Sequence, residues 1–288
     1  MTTLRAGSAT DVGRVRRINQ DRALESASLF AVADGMGGHV GGEVAAQTAI
    51  DGLRAAWEAA GPDPHRAEAL VGAVQDANRA VWGRALADQD LRGMGTTLTA
   101  VALVDQGEGD ELALANVGDS RAYLLSAGQL TQLTADHSLV AEAVRSGELS
   151  AEEALSHPKR HILTRVLGLE PEVDVDAWRM APVAGDRILL CSDGLFNEVE
   201  EADLAGVLAG ISDPAEAAAT LVALARDHGG SDNITVVVVD VVDVSGAKGA
   251  PAAGATASSG EAAPDGSAGA DPAGSAQGEP AESAQGEP

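Results

Sequence analysis

The stretch FAVADGMGGHVGGEVAA, Phe30 to Ala46, changes character twice. An apolar run stops at Asp34, Gly, Met and His follow, and from Glu43 the apolar positions recur at helical spacing. A strand that ends on a carboxylate and turns through glycines presents carboxylate and bare carbonyl oxygens at a sheet edge, and hard cations take such oxygen ligands. The same letters also describe an ordinary strand-turn-helix junction in which Asp34 caps the turn. The other acidic loops of the chain have to decide between the two.

Working outward, the chain has 288 residues, enough for one large domain or two small ones, and 45% of them are hydrophobic. Aromatic residues are few, with 3 Trp, 1 Tyr and 2 Phe, so the core must be built mostly of Ala, Val and Leu. There are 44 acids against 19 bases, a formal charge of -25. That balance argues against nucleic acid, which needs basic patches to displace counterions, and equally against an anionic membrane surface. The single cysteine, Cys191, ends the apolar run from Arg187 and reads as a packed strand residue with no internal disulfide partner. The N-terminus has no apolar signal region and no apolar run reaches the roughly 18 residues of a membrane span, so a cytoplasmic chain is expected.

Composition shifts near Ser245: no Leu, Ile, Val or aromatic residue follows Val244, and the end repeats Ser-Ala-Gln-Gly-Glu-Pro at 275–280 and 283–288. Residues 245–288 are therefore expected to form a disordered acidic tail, because they cannot bury enough apolar surface to offset ordering. Within 1–244, Asp11 to Asp21 reads as a turn and strand edge, and Ser28 to Ala33 as a buried strand. Helices are expected over Gly42–Ala60 and His65–Ala87, the latter with Leu70, Val74, Ala77 and Val81 on one face. Thr97–Val104, Glu111–Asn116 and Arg121–Leu125 follow as strands with short links. After a polar stretch from Asp136 to His161 come strands Arg187–Cys191 and Ile234–Val242, with a helix Asp213–Asp227 between them. Grouped strands and helix pairs predict α+β layers rather than a doubly wound parallel sheet.

The acidic loops repeat one design, an apolar strand followed by Asp beside Gly, Ser or Asn: Asp34-Gly35, Asp119-Ser120, Asp193-Gly194 and Asp232-Asn233, with Asn19-Gln20-Asp21 as a fifth candidate. Any one alone is a turn. Several at strand ends of one domain would repel one another unless cations neutralised them, and a site of carboxylates and carbonyls without thiolate suits magnesium or manganese.

These segments resemble, in order, the signature motifs of the metal-dependent Ser/Thr protein phosphatases of type 2C, the PPM family, in their bacterial form. The matching pieces are Thr10 to Asp21, Asp34-Gly-Met-Gly-Gly-His39, Gly93-Met-Gly-Thr-Thr97, Asn116 to Tyr123, Leu133 to His137, Thr164 to Gly168, Cys191-Ser-Asp-Gly194 and Gly230 to Thr235. The resemblance covers residues 8–240. It implies a four-layer α-β-β-α sandwich with two central, mainly antiparallel sheets and a metal cleft between them, a catalytic domain over 1–244, and a flap at about 136–161.

Carried over residue by residue, it implies that Asp34 bridges two Mn2+ or Mg2+ ions and that the Gly35 carbonyl binds the second. Asp193 and Asp232 would hold the first, and Asp21 would act on the second through water. Asp119, together with Asp193, would hold a third, weaker ion. Arg16 would grip the substrate phosphate, where a guanidinium fork pairs with phosphate oxygens. His39 would protonate the leaving oxygen; animal members place this histidine directly after Asp-Gly, where Met36 stands here. Gln20 stands where animal members have Glu, which removes a charge near the second ion.

The implied reaction is hydrolysis of phosphoserine and phosphothreonine in proteins by a metal-bridging water, with no phospho-enzyme. The implied partners are phosphoproteins, among them a Ser/Thr kinase and its substrates, and the chain is expected to act as a monomer. A degenerate phospho-binding scaffold is the competing class, but such a chain should have lost one of Asp34, Asp193 and Asp232, and all are present. A hydrolase of small phosphomonoesters shares the chemistry.

Overall fold

The computed structural model describes residues 2–36, 41–61, 66–105, 107, 109–155 and 157–244. His39 and the tail at 245–288 lie outside these. In chain order the strands begin with β1 (Thr2–Asp11), β2 (Asp21–Glu25) and β3 (Leu29–Met36), and the helices with α1 (Gly41–Ala59) and α2 (Ala67–Ala87). Then come β4 (Gly95–Thr96), β5 (Leu98–Asp105), β6 (Asp110–Val117), β7 (Arg121–Ser126) and β8 (Gln129–Gln132). Two short helices follow, α3 (Leu139–Arg145) and α4 (Ala151–Leu155), with β9 (Asp176–Met180) and β10 (Arg187–Cys191). The chain closes with α5 (Asp193–Phe196), α6 (Glu201–Gly210), α7 (Pro214–His228) and β11 (Ile234–Val244).

Two antiparallel sheets result, one ordered β1-β11-β10-β7-β8 and the other β2-β3-β5-β6-β9 with β4 on β3. Strand side chains alternate between faces, so each strand divides its residues between two layers. On β3, Leu29, Ala31 and Ala33 pack with α1 and α2, while Phe30 and Val32 face the other sheet. On β10, Leu189 and Cys191 pack with Leu204, Leu221 and Ala225 of α6 and α7, while Ile188 and Leu190 face inward. The run Val236 to Val241 feeds both layers in turn, which is why β11 reads as continuously apolar: it is an interior strand covered on both faces. Three apolar layers separate four structural ones, giving the expected α-β-β-α sandwich of two antiparallel sheets. Among the described residues, no helix is long and apolar enough to cross a membrane.

The predicted face of α2, Leu70, Val74, Ala77 and Val81, is buried as read. Two differences matter. The strand expected to stop at Asp34 runs on to Met36, because β2 pairs Asp21 with Asp34 and β4 pairs Thr96 with Gly35, so both flanks find partners. The N-terminal residues, not predicted as structured, form β1, paired with β11 from Thr2↔Val244 to Asp11↔Ile234. Residues 136–161 hold the short α3 and α4, and the bridge Ser138↔Leu163 closes the segment at its root.

Candidate functional site

Followed toward one end, the inward faces of both sheets turn from apolar to polar at unchanged parity. Phe30 and Val32 lead to Asp34, Val101 to Thr99 and Thr97, Leu114 to Asn116, Leu190 to Ser192, and Val237 to Thr235. These groups satisfy one another. The Asp34 N–H donates to Thr97 Oγ1 at 2.9 Å, and Thr97 Oγ1 shares a hydrogen with Ser120 Oγ at 2.7 Å. The Thr99 hydroxyl lies 2.6 Å from Asn116 Oδ1 and 2.9 Å from the Ser120 carbonyl. Across the layer, the Ser192 hydroxyl donates to Asp21 Oδ2 at 2.7 Å and accepts from the Thr235 N–H at 2.9 Å. This polar shelf supports the acidic loops.

The carboxylates arrive from five places. Asp21 and Asp34 are cross-strand partners, Asp119 sits in the turn between β6 and β7, Asp193 opens α5, and Asp232 precedes β11. Glycines let the loops touch. A Cβ on Gly194 would come within 2.0 Å of the Asn233 carbonyl, so the loops bearing Asp193 and Asp232 pack backbone to backbone. A Cβ on Gly35 would lie 2.0 Å from the Gly42 carbonyl and 2.7 Å from that of Gln20, which draws the Asp21 loop and the start of α1 onto Asp34. Asn233 pins the remaining loop, accepting from the Gln20 N–H and donating to the Val12 and Ile18 carbonyls at 3.0 Å. That loop carries Arg16, whose guanidinium reaches Asp232 at 2.6 Å.

The electrostatics follow. Burial, then the charges of Asp21, Asp193, Asp119 and Asp232, hold the Asp34 carboxyl well above its ordinary range. Burial and Asp232 raise Asp193. Burial pushes Asp21 up to about 7 against the Ser192 hydrogen bond, and burial with the Asp193 charge pushes Asp119 up to about 7. Acids that raise one another's protonation are acids a cation would relieve.

Two further observations bear on whether a divalent ion fits. Among the described residues, the buried side-chain atoms without a hydrogen-bond partner are Gln20 Nε2 and Asp21 Oδ1, both at this cluster. The donor set is all oxygen, as hard cations require. The carboxylates converge without closing: among the described residues, no three His, Cys, Asp or Glu side chains are drawn up as a finished ligand set. Protein groups engage them instead, Arg16 on Asp232, Asn197 on Asp193 at 3.1 Å and Ser192 on Asp21. The residues present fit such ions in chemistry and convergence.

Of the residues singled out in the sequence, Asp21, Asp34, Gly35, Asp119, Asp193, Asp232 and Arg16 come to this one end of the inter-sheet layer. His39 is outside the described residues. No local pattern singles out Thr97, Thr99, Asn116, Ser120, Ser192 and Asn233 as individuals. The signal that finds them is period two: most stand an even number of residues from an inward-facing apolar side chain. A cavity of about 600 Å³, lined in part by Arg79, Leu163, Arg165, Glu170 and Asp174, contains none of these five aspartates.

The family profile for protein phosphatase 2C matches residues 14–226. Serine/threonine phosphatase stp of Listeria innocua is 40% identical over 239 residues, covering 80% of this chain and 93% of that one. The crystal structure of the Mycobacterium tuberculosis serine/threonine phosphatase PstP/Ppp superimposes with a TM-score of 0.76 at 42% identity, covering 84% of this chain and 100% of the other. A PstP catalytic domain solved in complex with 2 manganese ions gives a TM-score of 0.74 at 41% identity, with the same coverage of 84% and 100%. The chain belongs to the protein phosphatase 2C family and is a serine/threonine protein phosphatase.

Proposed function

We propose that the enzyme hydrolyses phosphoserine and phosphothreonine in proteins at this acidic cluster, with two divalent cations, manganese or magnesium, resident there. The carrying observation is that loops bearing Asp21, Asp34, Asp193 and Asp232 pack backbone to backbone at one end of the inter-sheet layer, around a buried Asp21 Oδ1 with no hydrogen-bond partner. Asp34, Asp193, Asp232 and the Gly35 carbonyl would hold the pair, with Asp21 acting through water. When bound, the ions acidify water and neutralise a cleft that would otherwise reject a phosphate dianion.

The chain's own groups then have defined tasks. The Arg16 guanidinium, 51% exposed and already at the cluster, turns from Asp232 to the phosphoryl oxygens. A water held among the carboxylates releases a proton to solvent, its oxygen bonds to phosphorus in line, and the bond to the Ser or Thr oxygen breaks on the far side. His39 delivers the proton that oxygen needs, which an imidazole can do near neutral pH. The shelf of Thr97 and Ser120 holds the Asp34 backbone in place, and Ser192 holds the Asp21 carboxylate. The reaction needs no phospho-enzyme, and Cys191 takes no part in it: its side chain packs with α6 and α7, on the face of β10 turned away from the acidic cluster.

The same reading takes residues 1–244 as the catalytic domain and 245–288 as an appended acidic tail. It assigns Asp119 with Asp193 to a third, weaker ion, which the effect of Asp193 on the Asp119 carboxyl supports. It places the enzyme in the cytoplasm as a monomer, acting on a Ser/Thr kinase and its substrates. The test is hydrolysis of a phosphothreonine peptide by the full chain. EDTA abolishes it, manganese restores it and Asp34→Ala removes it; full turnover by that variant would refute the assignment.

A further inference from the structure

Two consecutive residues at the root of the 136–161 segment, Asp136 and His137, have no task in the chemistry above. Each is nevertheless fastened to one end of the turn that carries Asp119. On the β6 side His137 is buried, its Nδ1 accepts the Gly118 N–H at 3.0 Å, and its own N–H donates to the Gly118 carbonyl at 3.0 Å. A ring whose Nδ1 accepts carries its proton on Nε2, and Nε2 faces Asp176 Oδ2 at 3.1 Å. Arg165 Nη1 holds the other oxygen of Asp176 at 2.5 Å and lies 3.2 Å from Nε2 itself, so both ring nitrogens are engaged and the imidazole is fixed in orientation.

On the β7 side Asp136 receives a fork from Arg121, from Nε at 3.0 Å and from Nη2 at 2.7 Å. The same guanidinium stacks on Phe196, 3.7 Å from the ring centroid, and Phe196 ends the helix that Asp193 begins. Gly118 and Arg121 bracket Asp119 and Ser120, so both ends of a four-residue turn hang on one dipeptide. The dipeptide also anchors the return of the flap segment, since the His137 carbonyl accepts from the Thr164 N–H at 2.9 Å and Ser138 bridges Leu163.

We infer that Asp136 and His137 are positioning residues: a two-armed clasp that sets the direction of the Asp119 carboxylate and ties it to the root of the segment bearing α3 and α4. This rests on the reading of Asp119 as a metal ligand. Partners that orient a ligating group typically change metal affinity by about 10–100-fold when removed. His137 orients through one neutral acceptor, and that is a chemical requirement which simple packing would not impose.

The experiment uses the full chain and compares His137→Phe, which keeps a ring and removes the acceptor, with His137→Asn, whose side-chain oxygen replaces Nδ1. In the metal-free protein, amide exchange at Gly118 and Asp119 rises about tenfold in the phenylalanine variant and returns in the asparagine variant. Binding of manganese chloride at the weakest site resolved by calorimetry weakens about tenfold. KM for a phosphothreonine peptide at saturating manganese stays within about twofold.

Combined with Asp119→Asn, His137→Phe adds no further loss, as expected of a residue acting through that carboxylate. Asp136→Asn, which weakens the Arg121 fork, shifts the same readouts by a smaller factor and serves if the phenylalanine variant does not fold. A folded His137→Phe with unchanged exchange and unchanged manganese affinity overturns the clasp, as does a loss of equal size in the presence and absence of Asp119. If Asp119→Asn itself leaves manganese binding unaltered, the metal role of Asp119 has failed instead.

Discussion

The two ends of the layer between the sheets are made by the same strands, on the same faces and at the same parity. One end is dry: Phe30, Val32, Ile188, Leu190, Val237 and Val239 are all 2% exposed or less. The other end places Asp34, Asp21, Ser192 and Thr97 where the next inward side chains fall. Apolar contact stabilises the first end, while the second withholds water from carboxylates that repel one another. A local rule broken at one place in an otherwise consistent sandwich marks the functional site. The dry end holds the acidic end together, so stability and activity should separate along a single strand.

The largest effect tests that separation within β3. Phe30→Ala should cost about 3–5 kcal/mol of stability by leaving a cavity, with kcat per folded molecule nearly kept. Asp34→Asn, four residues on and on the same face, should lower kcat/KM on the order of 10³-fold or more. The metal-free Asp34→Asn chain should melt at or above the parent's temperature, because a repelling carboxyl has become neutral. Denaturant melts beside phosphopeptide kinetics read both quantities. If both substitutions cost stability and activity in the same proportion, the two ends are one structural unit and the contrast is lost.

The next effect is on pH. Asp21 and Asp119 have folded values of about 7 against an ordinary 3.8. The native chain therefore binds more protons than the unfolded chain between those values, and its stability falls as pH rises through that window. The metal-free enzyme should melt about 5 °C or more higher near pH 5 than near pH 8. Saturating manganese should shrink that gap, since the ion replaces the protons. A metal-free melting temperature that climbs from about pH 5 to about pH 7 would contradict the electrostatics of the acidic end.

The dry end and the acidic ligands were legible for different reasons. Strands β5, β6, β10 and β11 announce themselves because an interior strand must carry apolar residues, and α2 because one face repeats at helical spacing. β1 does not: as an edge strand reading Thr-Thr-Leu-Arg-Ala-Gly-Ser-Ala-Thr-Asp, it draws its order from pairing with β11, which no local pattern records. β9 and α6 are hidden likewise, α6 burying only Leu204 and Leu208 of its ten residues. The aspartates showed in sequence because Asp beside Gly, Ser or Asn recurs at strand ends, in segments that resemble the phosphatase motifs in order. The hydroxyls that support them did not show, since Ser and Thr are unremarkable until neighbouring strands bring Thr97 to Ser120 and Ser192 to Asp21.

Those hydroxyls supply a smaller test. Thr97 accepts the Asp34 N–H and pairs with Ser120, so Thr97→Val keeps shape while stranding a buried donor, at about 1–3 kcal/mol. The activation constant for manganese should rise about tenfold, as for other groups that orient a ligand. Thr97→Ser should restore both. Loss of stability with an unchanged manganese response would assign Thr97 to the dry end rather than the acidic one.

The smallest expected effect is none, and the sign of the charge beyond β11 is the reason. The strand starts at Ile234 beside Asp232 and runs 11 residues to Val244, where it pairs with Thr2 at the opposite end of the sheet. At a rise of about 3.3 Å per residue, the chain leaves the last described strand about 30 Å from Asp232. The sequence beyond Val244 carries 6 acids and 1 base, so any reach back toward an acidic cleft would meet repulsion at low salt. Ending the chain after Val244 should therefore leave kcat/KM on a phosphothreonine peptide within about twofold, at low and at high ionic strength alike. A gain in activity confined to low salt would show the tail competing with phosphate for Arg16, and the acidic end of the sandwich would then extend beyond the folded strands.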